Sequence, residues 1–316
     1  MRKALLIGID FYLNGNCLSG CVNDAVSMEA ALELNHDQTR NFQCVSLLAH
    51  DRPDCRQVID DKLLAKSIDW LFEGDPEIAL FYFSGHGSFP GREGYLCPSN
   101  FANEYTGVPM ANLIKAAANS KARHKLIILD CCHSGAAGAE YFSNQLSVLP
   151  ENTVILAGCS QEGYCSEVDG GGVFTGMFVE ALEGAASNLL GEVSPGSVYA
   201  YIDKSLGAFE QRPVFKANVK SFICLKKNKP LIPMKELRCL TALFPEPDRE
   251  FPLPAGSEFV NGEPDELFKI LYKFWRNGLV VPVGEEYLLR AAAKSGKCIL
   301  TSMGRHYWRL ISKGIL

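Results

Sequence analysis

Six short apolar runs punctuate the first 228 positions: Ala4–Ile9, Phe42–Ala49, Ile78–Phe83, Leu126–Leu129, Thr153–Ala157 and Val219–Leu225. They are largely continuous, where a strand with one wet face would alternate polar and apolar residues. Such runs predict strands covered on both faces, as in a parallel sheet. Between them lie stretches with helical character: Val22–Leu34, Arg56–Phe72, Met110–Ala118, Phe174–Glu183 and Ser197–Phe209. Strands alternating with helices predict an α/β fold, a mostly parallel six-stranded sheet sandwiched by helices. No internal repeat is present.

The pattern changes near Lys229. Seven of the sixteen prolines fall between Pro230 and Pro264, a density that interrupts helices and central strands alike. The sequence therefore predicts a first domain over 1–228, an extended Pro-rich linker over 229–261 and a compact module over 262–316. Within the module, Leu267, Phe268, Leu271, Tyr272 and Trp275 recur at helical spacing. Leu279–Val283 is strand-like, Glu285–Lys294 is helical, and Thr301 or Ser302 is placed to cap a last helix over Met303–Lys313. The module carries +4 against −9 for the remainder, which supports two separate parts.

Composition narrows the field. With 47% hydrophobic and 21% charged residues the 316-residue chain has an ordinary globular balance. A net charge of −5 argues against nucleic acid as the partner of the whole chain. No stretch approaches the roughly 20 apolar residues of a membrane span. Asp10 ends the first apolar run too early for a signal peptide, so a cytoplasmic protein is expected. Twelve cysteines are present without a CxxC pair. Most sit in apolar runs, so reduced thiols acting as small hydrophobes are expected, and no metal site.

In open α/β sheets, reactive groups gather at the carboxyl ends of strands. Two predicted strand ends carry them here. One is ALFYFSGHG, ending in Ser84, Gly85, His86 and Gly87; the other is KLIILDCCHSG, ending in Asp130, Cys131, Cys132, His133, Ser134 and Gly135. A His and a Cys on neighbouring strand ends are what a Cys–His nucleophilic site requires. Imidazole assists thiolate formation and returns the proton to the leaving amine. The backbone amides of Gly87 and Cys132 are candidate oxyanion-hole donors. Cys131 reads as packing, and His133 as pointing away from its sequence neighbour.

These residues resemble the caspase-like cysteine peptidases, most closely the metacaspase and bacterial orthocaspase branch. The resemblance covers roughly 1–228 and is carried by ALLIGIDFYLNGNCLSGCVNDA, FYFSGHG, LDCCHSG and AGCSQEGYCSE followed by GGVFTG. It implies His86 as catalytic base and Cys132 as nucleophile. It also implies that Cys21, Asp24, Ser84 and Asp130 line the primary specificity pocket. The charge pattern points the same way. The loop from Asp10 to Ala25 has no Arg or Lys, and Asp24 with Asp130 would favour a cationic side chain, so cleavage after Arg or Lys is expected. Plainer roles stay open, a helix cap for Asp24 and a turn for Asp130.

Departures from the family also carry expectations. Calcium needs several carboxylates, and SFPGREGYLCPSNF offers only Glu93 while GAAGAEYFS offers only Glu140. Calcium independence and no cofactor are therefore expected. The short turn from Asp169 to Gly172 leaves no long cleavable connector, so an unprocessed chain is expected, activated by another protein or a small ligand. The tail resembles a winged-helix module, serving as an adaptor or regulator in bacterial defence or signalling; its mild charge makes nucleic acid a poor fit. Two other classes remain: a catalytically silent scaffold recruiting partners through the tail, and a DNA-binding regulator.

Overall fold

A computed structural model describes residues 1–52, 56–90, 93–103, 106–131, 149–158, 167–168, 170–206, 212–220, 223–253, 259–260 and 263–316. They form two compact units, 1–187 with 192–228, and 188–191 with 229–316.

The larger unit is built on a six-stranded sheet. Its strands are β1 (Arg2–Ile9), β2 (Gln43–Ala49), β3 (Ile78–Ser84), β4 (His124–Asp130), β5 (Thr153–Ala157) and β6 (Val214–Asn218). The order across the sheet is β6-β5-β4-β3-β1-β2. Five strands run parallel, and β6 pairs antiparallel to β5. Side chains on alternate strand positions face opposite ways, and both faces are dry. Leu5, Ile7, Phe81, Phe83, Ile127 and Leu129 pack with α2 (Asp61–Phe72) and α3 (Met110–Asn119). Leu6, Leu80, Tyr82, Leu126 and Ile128 pack with α1 (Cys21–Glu33), α4 (Val173–Glu180) and α5 (Pro195–Leu206). This double burial explains why the strand segments read as continuous apolar runs.

Three departures from the sequence pattern have a plain physical reason. The sixth strand is Val214–Asn218, ahead of the expected Val219–Leu225. As an edge strand it is only half-buried and therefore less apolar, while Ile223 and Leu225 join the core without strand pairing. Helix α2 starts at Asp61 because the Asp60 side chain caps it, accepting from Leu63 N at 2.7 Å. Helix α4 passes at Ala181 into a π-helical turn, Ala181–Ala185, within which Gly184 takes a φ of 128°.

The smaller unit has its own core. Helices α6 (Met234–Leu237), α7 (Cys239–Leu243), α8 (Glu266–Arg276), α9 (Leu288–Ala293) and α10 (Ser302–Ser312) surround an antiparallel sheet. Its strands, β7 (Phe251–Pro252), β8 (Val280–Pro282) and β9 (Lys297–Leu300), lie in the order β7-β9-β8. The described residues 229–253, expected to be extended linker, are not simply that. Ile232, Leu237, Leu240, Phe244 and Leu253 are buried with Phe268, Leu271, Phe274 and Leu288. The prolines shorten the helices there without keeping the apolar residues between them out of the core. Among the described residues, no helix is long and apolar enough to cross a membrane.

Candidate active site

The strand order reverses direction between β1 and β3: the chain leaves β1 toward β2, then returns past β1 to build β3, β4 and β5. The crevice at the carboxyl ends of β1 and β3 is thus the topological switch point, where connecting loops diverge and leave room for a ligand. The register sets Gly8, Ser84 and Asp130 side by side across β1, β3 and β4. Most sequence-predicted residues of the described chain collect around this line.

Helix α1 delivers Cys21 and Asp24. A Cβ on Gly8 would lie 2.3 Å from the Cys21 carbonyl oxygen and 2.8 Å from Val22 Cα, so only glycine lets the helix close onto β1. The residue before the helix is Gly20, with no side chain to cap it. Asp10 supplies the cap from the strand end, its Oδ1 accepting from Cys21 N at 2.9 Å and Val22 N at 3.3 Å. Burial raises the Asp10 carboxyl above its ordinary 3.8, with those two amides pulling it back down.

His86 follows β3 after Gly85, where any side chain would strike Tyr12; a Cβ there would sit 2.7 Å from its phenol oxygen. His86 N donates to that same Tyr12 oxygen at 2.7 Å, and the two rings pack with centroids 4.6 Å apart. The ring Nε2 lies 2.8 Å from the Asn16 carbonyl oxygen in the loop after β1. A carbonyl only accepts, so Nε2 carries a proton and Nδ1 is the basic nitrogen of the neutral ring. Gly87 enters a short pairing with Leu96, and Cys97 N donates to the His86 carbonyl at 3.0 Å, which fixes the turn around the histidine.

The carboxylates converge on Gly172, the residue before α4. Ser84 Oγ donates to Asp24 Oδ2 at 3.0 Å, and Gly172 N donates to Asp24 Oδ1 at 3.0 Å. A Cβ on Gly172 would fall 2.3 Å from Asp130 Oδ2 and 3.1 Å from Asp24 Oδ2. Thr175 Oγ1 donates to Asp130 Oδ2 at 2.6 Å and lies 2.7 Å from the Tyr82 hydroxyl. Asp24 and Asp130 are 6% and 5% exposed. Both carboxylates are thus deeply placed and held by hydroxyls and a main-chain amide. Asp24 does not cap α1; that role belongs to Asp10.

Cys132, the expected nucleophile and oxyanion-hole donor, lies outside the described residues, as do His133, Ser134, Gly135 and Asp169. The described segment ends one residue earlier, at Cys131, which is 2% exposed and part of the α2/α3 face of the core. Burial pushes the thiols of Cys44 and Cys298 up to about 12, where they are unreactive.

Residues 1–222 match the profile of the caspase domain. The chain belongs to the caspase-domain peptidase family. Among curated relatives, metacaspase-1 of Pyricularia oryzae is 32% identical over 194 residues, covering 56% of this chain and 48% of its own. Metacaspase-1B of Aspergillus fumigatus is 28% identical over 149 residues, covering 43% and 36%. Metacaspase-3 of Arabidopsis thaliana is 26% identical over 150 residues, covering 42% and 40%. The matches span less than half the length of these relatives. In fold, the chain is similar to caspase-1 of Spodoptera frugiperda, with a TM-score of 0.53 at 12% identity over 72% of this chain and 90% of that one. Protein GSU0716 of Geobacter sulfurreducens is similar too, with a TM-score of 0.53 at 17% identity over 73% and 98%. The caspase-domain sheet, mostly parallel and helix-covered, is what the sequence pattern implied.

The sequence did not single out Asp10, Tyr12, Asn16 or Thr175. Asp10 directly follows a buried strand at the functional end of the sheet, which is a legible signal. Thr175 lies in the GGVFTG segment. Asn16 contributes a main-chain oxygen, which no side-chain pattern reveals.

Proposed function

We propose that this caspase-domain protein is a cysteine endopeptidase cleaving after Arg or Lys, with Cys132 as nucleophile and His86 as base. The observation that supports it most directly is the pair of buried carboxylates, Asp24 and Asp130, meeting at Gly172 beside the strand that carries His86. A guanidinium or ammonium is the complement of such a pair. Cys21 and Ser84 complete the pocket wall, Ser84 through its bond to Asp24.

In this mechanism His86 Nδ1 takes the thiol proton as Cys132 Sγ bonds to the scissile carbonyl carbon. Gly87 and Cys132 amides stabilise the oxyanion. Collapse breaks the C–N bond, and His86 passes its proton to the departing amine. Water then attacks the thioester, giving a proton to His86, which returns it to sulfur as the acid leaves. The Asn16 carbonyl holds Nε2–H throughout, so the ring presents the same nitrogen at every step.

Calcium independence belongs to the same reading. The one acid of the stretch after His86, Glu93, accepts from the Tyr95 hydroxyl at 2.9 Å, a poor start for a six-oxygen cation shell. The smaller unit, read as a winged-helix-like module, acts as an adaptor or receiver of an activating protein or ligand in a bacterial defence or signalling setting. Lys269, Lys273, Lys294, Lys297 and Arg305 are engaged with acids of that unit, which weakens its field for nucleic acid.

Fluorogenic peptides ending in Arg, Lys or Asp test the reading on wild type, Cys132→Ala and His86→Ala, with and without EDTA. Cleavage after Arg and Lys by wild type alone, indifferent to EDTA, is expected. Cleavage after Asp overturns the pocket, activity of Cys132→Ala overturns the dyad, and loss with EDTA overturns calcium independence. Silence of all three proteins, with the tail's partners added, favours a scaffold.

A further inference from the structure

Behind Asp130 stand two hydroxyls that the proposed mechanism leaves unused. Thr175 is 1% exposed and Tyr82 is 0% exposed. Thr175 Oγ1 is 2.6 Å from Asp130 Oδ2, and the Tyr82 hydroxyl is 2.7 Å from Thr175 Oγ1. The direction of this chain follows from proton counting. An ionised carboxylate only accepts, so Thr175 gives its single proton to Asp130. The phenol must then donate to Thr175.

We infer that Tyr82 and Thr175 form a one-way hydroxyl relay that fixes the Asp130 carboxylate for a cationic substrate side chain, which makes Thr175 a positioning residue of specificity. The inference rests on the proposed preference for Arg or Lys and deepens it. Thr175 lies three residues after Gly172, whose amide holds Asp24. The first turn of α4 thus grips both carboxylates, one through the main chain and one through a side chain. Burial, then the charges of Asp130 and Asp24, keep the Tyr82 phenol well above its ordinary 10, so it retains the proton that the relay needs.

The test uses the full-length protein and a matched pair of peptides ending in Arg or in citrulline, which has the shape of Arg without its charge. Thr175→Val keeps side-chain shape and removes the donor. It is expected to raise KM for the Arg peptide about tenfold or more while kcat stays within about twofold, and to leave the citrulline peptide unchanged. Thr175→Ser restores the donor and is expected to return KM to within about threefold of wild type. Tyr82→Phe, which leaves Thr175 without its own donor, is expected to fall between them, and it carries the test should Thr175→Val fail to fold. An unchanged KM in Thr175→Val or in Tyr82→Phe overturns the relay. So does a loss shared equally by the two peptides, or a Ser variant as impaired as Val. Were wild type to cleave Arg and citrulline peptides alike, the cationic pocket itself would be wrong, and the relay with it.

Discussion

Replacing Asp10 with alanine strips the cap from α1 without touching any proposed reacting group. Asp10 is 8% exposed, and its Oδ1 holds the amides of Cys21 and Val22. Those amides belong to the four donors that a helix start leaves unsatisfied, and Gly20 offers no substitute. A lost cap costs roughly 0.5–2 kcal/mol, and a buried donor left without a partner roughly 1–3 kcal/mol. The two overlap, so Asp10→Ala is expected to lose about 1–3 kcal/mol. Asp10→Asn keeps an oxygen in place and is expected to stay within about 1 kcal/mol of wild type at neutral pH. The pH dependence has a definite sign. Burial raises the native Asp10 carboxyl above 3.8, so across the window just above that value the native state holds more protons than the unfolded one. Wild-type stability therefore falls as pH rises through the window, and the Asn variant lacks this contribution. Urea unfolding at several pH values reads both effects, and hydrogen exchange over residues 21–33 localises the loss. Ala matching wild type within about 0.5 kcal/mol, with unchanged exchange in α1, would falsify the capping argument.

Three further outcomes are expected. Gly172→Ala drives a methyl group against both carboxylates; overpacking of roughly 1–3 kcal/mol should raise KM for Arg peptides about tenfold, read by steady-state kinetics, and an unchanged KM removes the convergence point. Tyr12→Phe deprives the His86 amide of its acceptor at 2.7 Å; stability should fall by about 1–3 kcal/mol in urea and kcat should drop more than KM rises, because the histidine turn and not the pocket loosens. Trp308→Phe removes the indole bond to the Phe244 carbonyl at 2.6 Å in the smaller unit; a loss of about 1 kcal/mol in that unit's unfolding, with peptide cleavage by the larger unit unaltered, is the expected result.

What was legible in the sequence follows burial. Strands β1, β3 and β4 are closed on both faces, so their central residues had to be apolar and they announce themselves. The edge strand β6 is half-wet, with Lys216 and Asn218 in it, and the apolar run nearby drew the expectation past it. The proline-rich segment misleads for a related reason. Proline reports what a backbone cannot continue, not whether the residues between will pack, and Leu237, Leu240 and Phe244 do. At the site, side-chain chemistry was readable wherever a charged or reactive group follows an apolar run. Roles played by main-chain atoms were not: the Asn16 carbonyl, the Gly172 amide and the close helix approach at Gly8 leave no mark of residue type beyond a glycine.

The same distinction explains why the site needs this fold. Ser84 and Asp130 end two strands and Asp10 directly follows a third, all far apart in sequence, and lateral register alone places Ser84 beside both Gly8 and Asp130. Register in a doubly covered parallel sheet is strongly specified, since a slip by one residue would turn each buried row to the opposite face. The rigid sheet therefore sets where the functional groups emerge, and short loops need only supply local corrections: a cap from Asp10, a phenol from Tyr12, a helix turn at Gly172. A change of register at β3 would move Ser84 and His86 together, whereas a change in one loop moves one partner. Loss of activity from core substitutions in β3 should accordingly track loss of folding, while substitutions at Tyr12, Gly172 and Thr175 should separate the two.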